Sequence, residues 1–221
     1  MDVIELLTPM RTLPGKKVTT GLPDEVVRSF AETDSALTKA IVSASEKFQE
    51  LLVDFPDIVD LDELDQVGVI QEGWVNFYAE DTVCPYVSLA ANGPWVITTK
   101  GAVLHDSGGY GMLGFGHIPE QVIKAMSRPQ VMSNVMTASF SQLRLVNALQ
   151  REVGRNRSGG CPFTHFIAVN SGSESVSVAT RISDVNAKIM TQPGSRHAGK
   201  TVKKLSLTTG FHGRTGRPAQ F

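Results

Sequence analysis

The amino-acid sequence predicts an α/β protein, and three observations support this fold class. Phe166–Val169 is a short apolar run of the kind that forms a buried strand. After it, Val176, Ala179 and Ile182 recur at every third position, which favours one apolar face of a helix. Lys204–Thr208 reads as a second strand. Strand, helix and strand form one βαβ unit, and its right-handed crossover places both strand ends at one edge of a sheet.

The turn between the first strand and the helix has the composition of a phosphate-binding loop. It reads Asn170-Ser171-Gly172-Ser173-Glu174, where Gly172 leaves room for an oxyanion and Ser173 offers a hydroxyl donor. Backbone N–H groups and the helix dipole add positive potential at such a turn. A plain helix cap is the alternative interpretation, because Ser171 and Glu174 have the spacing of a capping box.

A second motif, Thr209-Gly210-Phe211-His212-Gly213-Arg214-Thr215, follows the second predicted strand. Together the two motifs resemble those of the class III aminotransferases (the ornithine, 4-aminobutyrate and lysine type), which use pyridoxal 5'-phosphate (PLP). The resemblance implies that Gly172 and Ser173 hold the cofactor phosphate and that Phe211 stacks on the pyridine ring. It also places His212 among the cofactor-binding residues.

The resemblance extends from about Gly93 to the end of the sequence and implies a fold-type I PLP-dependent transferase. On this basis we expect residues 1–92 to form a leader and a helical N-terminal extension. Residues 93–221 would form the N-terminal half of the large, PLP-binding mixed-sheet domain, which would be incomplete. Members of the family act as homodimers, so a homodimer is the expected state of the complete protein.

The implied reaction is the transfer of an amino group from an amino acid or a terminal amine to a 2-oxo acid. It needs a lysine that forms the resting Schiff base and a carboxylate that keeps the pyridine nitrogen protonated. In the family both residues lie beyond the second motif, and none of the lysines here occupies the matching position; Lys188, Lys200, Lys203 and Lys204 read as solvated charges. We therefore expect an N-terminal portion that contains no catalytic residue and is inactive alone. A non-catalytic PLP- or phosphate-binding module, or another fold-type I activity such as an aminomutase or decarboxylase, stays open.

The first part of the sequence predicts an irregular leader and a long helix. Residues 1–23 are rich in proline and glycine and are expected to drape over other elements. From Asp34 onward a single apolar stripe at helical spacing predicts a packing face that ends before Pro56; it consists of Leu37, Ile41, Ala44, Phe48 and Leu51. The acidic residues 54–65 match no calcium-binding loop and are expected to be solvated, so no metal site is predicted.

Further along, the sequence predicts a hairpin, a glycine-rich loop and two helices. The hairpin joins Trp95–Thr98 to Ala102–Asp106 through the turn Thr99-Lys100-Gly101, with His105 as a packing residue. The loop of residues 107–117 contains Tyr110, which by resemblance is a candidate contact for the substrate. One helix begins near Pro119 with Val122, Ile123 and Met126 facing inward; the other covers residues 141–153.

Composition limits the classes of partner. The net charge of −1 implies no general attraction to nucleic acid or to an anionic membrane. No apolar run approaches the ~20 residues that span a bilayer, and the acidic start of the sequence differs from a signal peptide. Cys84 and Cys161 have no metal-ligand spacing and suit free thiols in a reducing compartment. A cytoplasmic protein that binds small molecules is therefore expected.

Overall fold

The computed structural model describes residues 2–76, 82–107, 114–131, 134 and 136–220. The chain divides into two compact units, Met1–Gln130 and Val131–Phe221. The predicted domain boundary between residues 92 and 93 falls between two paired strands of the first unit. The hairpin therefore belongs with the N-terminal helices in this structure.

The first unit contains six helices and one sheet within the described residues. The helices are α1 (Val3–Arg11), α2 (Asp24–Thr33), α3 (Ser35–Asp54), α4 (Pro56–Val59), α5 (Glu63–Gln71) and α6 (Glu120–Met126). The strands are β1 (Ser88–Asn92), β2 (Trp95–Thr98) and β3 (Val103–His105). They form an antiparallel sheet in the order β1-β2-β3.

Helix α3 forms the centre of the first unit, as its apolar stripe predicts. The residues Leu37, Ala40, Ile41, Ala44 and Phe48 are buried and pack against β1 and β2. The helix begins after Asp34, whose carboxylate accepts a hydrogen bond from the Ala36 N–H at 2.9 Å. It ends at Asp54, directly before the helix that starts at Pro56, so the predicted stop is confirmed.

The hairpin is also confirmed, with the predicted order of strand, turn and strand. Trp95 pairs with His105 and Ile97 pairs with Val103. The Trp95 side chain is 2% exposed and packs edge-on against His105 with the ring centroids 5.1 Å apart. His105 is therefore a packing residue, as expected. The preceding strand β1 carried too weak a signal to be predicted.

The predicted irregular leader is wrong for its first half and right for its second. Residues 3–11 form α1 because Asp2 caps the helix and Leu7 and Met10 reach the core. Residues 12–23, here called the leader segment, are irregular and lie along β3 and α5. Leu22 N–H donates to Val103 O at 2.9 Å.

The expectation that the acidic segment 54–65 is solvated is wrong for Glu63. This side chain is fully buried, and its Oε2 accepts hydrogen bonds from Val18 N–H and Thr19 N–H, both at 2.8 Å. The backbone donors of the leader segment replace water around the carboxylate. Within the described residues no group of three or more histidine, cysteine, aspartate or glutamate side chains could hold a metal ion.

The second unit is formed by α7 (Phe140–Gly154), α8 (Gly172–Thr191) and a 3₁₀ helix (Arg217–Gln220). Both predicted strands are wrong here: residues 166–169 and 204–208 form no strand. Ile167 is 65% exposed and Leu205 is 97% exposed. The two runs have the composition of strands, but a strand also needs a partner for its backbone hydrogen bonds, and neither run pairs with another segment in the part of the chain that the structure describes.

Helices α6 and α7 form where the sequence predicts them, although the apolar side chains of α6 do not face inward. It begins after Pro119, but Val122, Ile123 and Met126 are 40%, 48% and 76% exposed. Their inward orientation is therefore a wrong prediction. The apolar spacing identifies the helix correctly, but it does not determine whether a neighbouring element covers that face.

Candidate functional site

The N-terminus of α8 is capped by its own side chains. Ser171 Oγ accepts a hydrogen bond from the Glu174 N–H at 3.2 Å, and Glu174 Oε2 accepts one from the Asn170 N–H at 2.7 Å. The serine half of the predicted capping box is confirmed. The glutamate reaches one residue further back than a standard capping box would require. The cap interpretation of this turn is thus correct, and it leaves other donors of the turn available.

The available donors are the backbone N–H groups of Gly172 and Ser173. Among the hydrogen bonds of the described residues, neither N–H has an acceptor. Gly172 also faces open space, since a Cβ built on it would meet no atom within 4 Å. Two free N–H groups at the start of a helix of 20 residues form a site where the helix dipole favours an anion.

The second motif packs against this helix start through a glycine. A Cβ added to Gly213 would lie 2.3 Å from Ser173 Oγ, far closer than any normal contact. Gly213 also has a φ of +117°, a conformation that side-chain-bearing residues rarely adopt. The two motifs, separated by about 40 residues in the sequence, therefore lie side by side at residues 173 and 213.

Phe211 and His212 border a hollow beside this contact. The hollow has a volume of ≈ 380 Å³ and lies between the loop of residues 210–214 and the 3₁₀ helix. Phe211 is 74% exposed, and the Arg214 guanidinium carbon lies 5.7 Å from the centroid of its ring. His212 is half-buried and folds back so that its Nε2 would lie 2.9 Å from a Cβ on Gly210. The loop thus presents one aromatic ring to solvent.

The structure does not place all the predicted cofactor-binding residues around one hollow. Phe211 and His212 line it, whereas Gly172 and Ser173 do not. Ser173 is connected to it through its contact with Gly213. Tyr110, the predicted substrate contact, lies outside the described residues.

Three contacts near the predicted motifs could not be recognised from their local sequence. Lys204 Nζ forms an ion pair with Asp184 on α8 at 2.7 Å, so this lysine is more than a solvated charge. The Arg214–Phe211 contact also appears only in the structure. In the first unit, His117 pairs with Gly93 and places its Nε2 3.1 Å from an Asp106 carboxylate oxygen. The Lys204–Asp184 and His117–Asp106 contacts join residues at least 11 positions apart, a separation that short motifs do not report.

Comparisons with protein-family models, with curated proteins and with solved structures gave no significant match. The functional assignment therefore depends on the motifs and their geometry. None of the helices in the described part of the chain has the length and apolar character needed to cross a bilayer.

Proposed function

We propose that the chain is the N-terminal portion of a PLP-dependent class III aminotransferase. The observation that supports this most directly is the contact between Ser173 and Gly213, because it brings together two motifs that the family uses around one cofactor. The proposed reaction moves an amino group from an amino acid or terminal amine to a 2-oxo acid.

The residues present fit the cofactor in two ways. The N–H groups of Gly172 and Ser173 would hold its phosphate, and the open space at Gly172 leaves room for the oxygens. Phe211 presents an exposed ring on which a flat heterocycle can stack, with His212 next to it. When bound, PLP supplies the electron sink for reactions at the amino-bearing carbon. In this chain, the backbone N–H groups of Gly172 and Ser173 and the side chains of Phe211 and His212 would bind and orient it.

The proposal places the Schiff-base lysine and the carboxylate at the pyridine nitrogen outside these 221 residues. Lys204, the lysine nearest in sequence to the second motif, is held by Asp184. In the described part of the chain no lysine lines the hollow beside Phe211. The chain alone would thus orient the cofactor without catalysing the reaction. The complete protein would be a cytoplasmic homodimer.

A non-catalytic PLP- or phosphate-binding module is the second candidate. The hollow without a lysine favours it, since binding needs only the N–H groups and the aromatic ring. Another fold-type I activity, such as an aminomutase, would use the same cofactor contacts. Titration of the chain with PLP, measured by equilibrium dialysis, separates all PLP-binding candidates from a protein that does not bind the cofactor.

The matched variants for that titration are Phe211→Leu and Phe163→Leu. Both phenylalanines are exposed and lie in the second unit. Of the two, Phe211 borders the hollow and Phe163 does not. Aromatic stacking contributes about 1 kcal/mol, so Phe211→Leu should weaken PLP binding roughly fivefold. Phe163→Leu should leave it unchanged, and inorganic phosphate should compete with PLP.

Two results would contradict the proposal. Absence of saturable PLP binding, or equal loss in the two leucine variants, would remove the cofactor site from this loop. Formation of glutamate from 2-oxoglutarate by the chain alone would show that the lysine is inside it and that its placement elsewhere is wrong. Binding without turnover, lost selectively in Phe211→Leu, is the expected result.

A further inference from the structure

A second cavity in the molecule lies in the first unit, where the leader segment passes over the β2–β3 turn. Its volume is ≈ 520 Å³, within the range of small-ligand pockets. Three cationic side chains, Arg11, Lys17 and Lys100, contribute to its lining, against one carboxylate, that of Asp24. No residue of the two predicted motifs lines this cavity.

The single carboxylate of the lining is already paired. Asp24 Oδ1 accepts a hydrogen bond from Arg11 Nη1 at 2.6 Å, and Arg11 Nε donates to Gly101 O at 2.9 Å. This ion pair accounts for the charge of one cation and one anion. Two ammonium groups of the lining, on Lys17 and Lys100, remain without a carboxylate partner in it.

Both ammonium groups are hydrogen-bonded, but to neutral acceptors. Lys17 Nζ donates to Arg11 O, and Lys100 Nζ donates to Pro14 O at 2.6 Å and to Val59 O at 2.9 Å. Carbonyl groups satisfy the N–H donors, and within the lining no carboxylate other than that of Asp24 offsets the three positive charges.

The pKa values of Lys17 and Lys100 are both lowered, as expected for two cations close to each other and partly removed from water. Loss of solvent lowers the pKa of Lys17 and the nearby Arg11 charge lowers it further, whereas the Glu63 carboxylate opposes both effects. Burial likewise lowers the pKa of Lys100, and the Lys17 charge adds to the effect. The carboxylates of Asp60, Asp62 and Glu63 favour the charged form of Lys100, but none of them lines the cavity.

The lining also contains a hydroxyl group without a partner and an apolar wall. Thr19 lies in the lining, and its Oγ1 is buried and makes no hydrogen bond within the described part of the chain. This oxygen has no accessible surface, so it is not counted among the groups that contact a ligand. Leu22 and Ala102 provide aliphatic surface on the same cavity.

We propose that this cavity binds a small organic anion with one carboxylate or phosphate group and a short aliphatic body. The acidic group pairs with the ammonium group of Lys17, which is exposed, in the positive potential to which Arg11 and the buried Lys100 contribute, and the aliphatic part packs on Leu22 and Ala102. The site is independent of the proposed PLP site, since its lining residues all belong to the first unit.

The test titrates the full chain by calorimetry with two pairs of probes: glutarate against neutral glutaramide, and glycerol 3-phosphate against glycerol. Lys17→Gln removes one charge of the lining, and Lys16→Gln is its matched control, because Lys16 is exposed and is not part of the lining. At least one anion should bind, with affinity that falls as salt is added. Lys17→Gln should weaken binding about tenfold, Lys17→Arg about threefold or less, and Lys16→Gln less than twofold.

A second measurement covers a chain that self-associates too strongly for calorimetry. Amine acetylation, quantified at each lysine by mass spectrometry, should slow at Lys17 when the anion is added and stay constant at Lys16. The proposal is overturned if neither anion binds saturably, if the neutral probes bind equally well, or if the two glutamine variants behave alike. Equal acetylation of both lysines with and without anion would overturn it as well.

Discussion

Asp34 connects the longest helix of the first unit to its sheet with one carboxylate. Its Oδ1 accepts the Ala36 N–H at 2.9 Å and so caps α3, while its Oδ2 accepts the Trp95 indole N–H at 2.7 Å. Since Trp95 is 2% exposed, water does not readily replace the second bond. The substitution Asp34→Ala removes both hydrogen bonds at once, so we expect it to destabilise the first unit strongly.

The expected loss can be divided between the two bonds. Removal of a helix cap costs about 1 kcal/mol in free energy of unfolding. A buried indole N–H left without an acceptor costs about 2 kcal/mol. Asp34→Ala should therefore lower the free energy of unfolding by about 3 kcal/mol. With a urea dependence of about 2 kcal/mol per molar, the unfolding midpoint should fall by roughly 1.5 M.

The assay is equilibrium urea unfolding followed by circular dichroism at low protein concentration. Trp95→Phe keeps an aromatic ring at this position but has no N–H, so in that background Asp34→Ala should cost about 1 kcal/mol, the cap alone. The coupling energy of the double-mutant cycle should then be about 2 kcal/mol. Asp34→Ser, which retains a capping hydroxyl but does not replace the indole acceptor, should cost about the same 2 kcal/mol.

A coupling energy below about 0.5 kcal/mol would refute this reasoning, because residues that share a buried hydrogen bond should not be additive. Equal stability of the serine and alanine variants would also count against it. In that case the capping hydrogen bond to the Ala36 N–H would contribute no measurable stability, and the loss would come from the indole bond alone.

Three other substitutions test buried or crowded groups. Burial lowers the pKa of Lys100 in the folded chain below its usual value of 10.5. Between the folded and unfolded pKa values the unfolded chain therefore binds more protons than the folded chain, so the free energy of unfolding rises as pH rises toward 10.5. Lys100→Met should reduce this rise when urea unfolding is measured as a function of pH. Glu63→Ala should lower the free energy of unfolding by about 3 kcal/mol in the same assay, since two leader-segment N–H groups lose their carboxylate acceptor. Gly213→Ala should speed proteolysis of residues 209–216 about tenfold more than Gly216→Ala; both glycines have positive φ, but only the first would place its Cβ against Ser173.

Helix α3, helix α6 and the hairpin of the first unit were predictable because their signals are local, whereas α1, α4 and α5 were not predicted. The stripe from Leu37 to Phe48 follows the helical period, and Pro56 marks the next helix start. The hairpin has β-branched residues in both strands around a turn with glycine at residue 101. These features need no knowledge of distant residues, so the sequence alone is sufficient.

The burial of charged side chains was not predictable for the opposite reason. Glu63 lies in a run of acidic residues, and that composition normally indicates solvent. Its actual acceptor role depends on N–H groups about 45 residues earlier in the chain. Lys100 is similar, because its acceptors at Pro14 and Val59 come from two separate segments. A sequence pattern within one window contains no information on such partners.

The candidate site illustrates the same division between local and distant signals. The cap of α8 was predictable from Ser171 and Glu174, whereas the strands flanking it were not formed. The contact between the two motifs does not depend on these two strands, although the predicted fold class would place the motifs at the strand ends. Ser173 is placed by the helix itself, and Gly213 is placed by its contact with Ser173.

The Lys204–Asp184 ion pair supplies a second connection between α8 and the segment that leads to Phe211. Within the described residues, the Ser173–Gly213 contact, this ion pair and the packing of α8 against the 3₁₀ helix connect the two motifs, and no sheet does so. The ion-pair side chains are 36% and 37% exposed, so this pair contributes little stability by itself. PLP bound at these motifs would thus have to stabilise the arrangement as it binds, and the PLP affinity of the chain should depend more strongly on Gly213 than on any residue of the unformed strands.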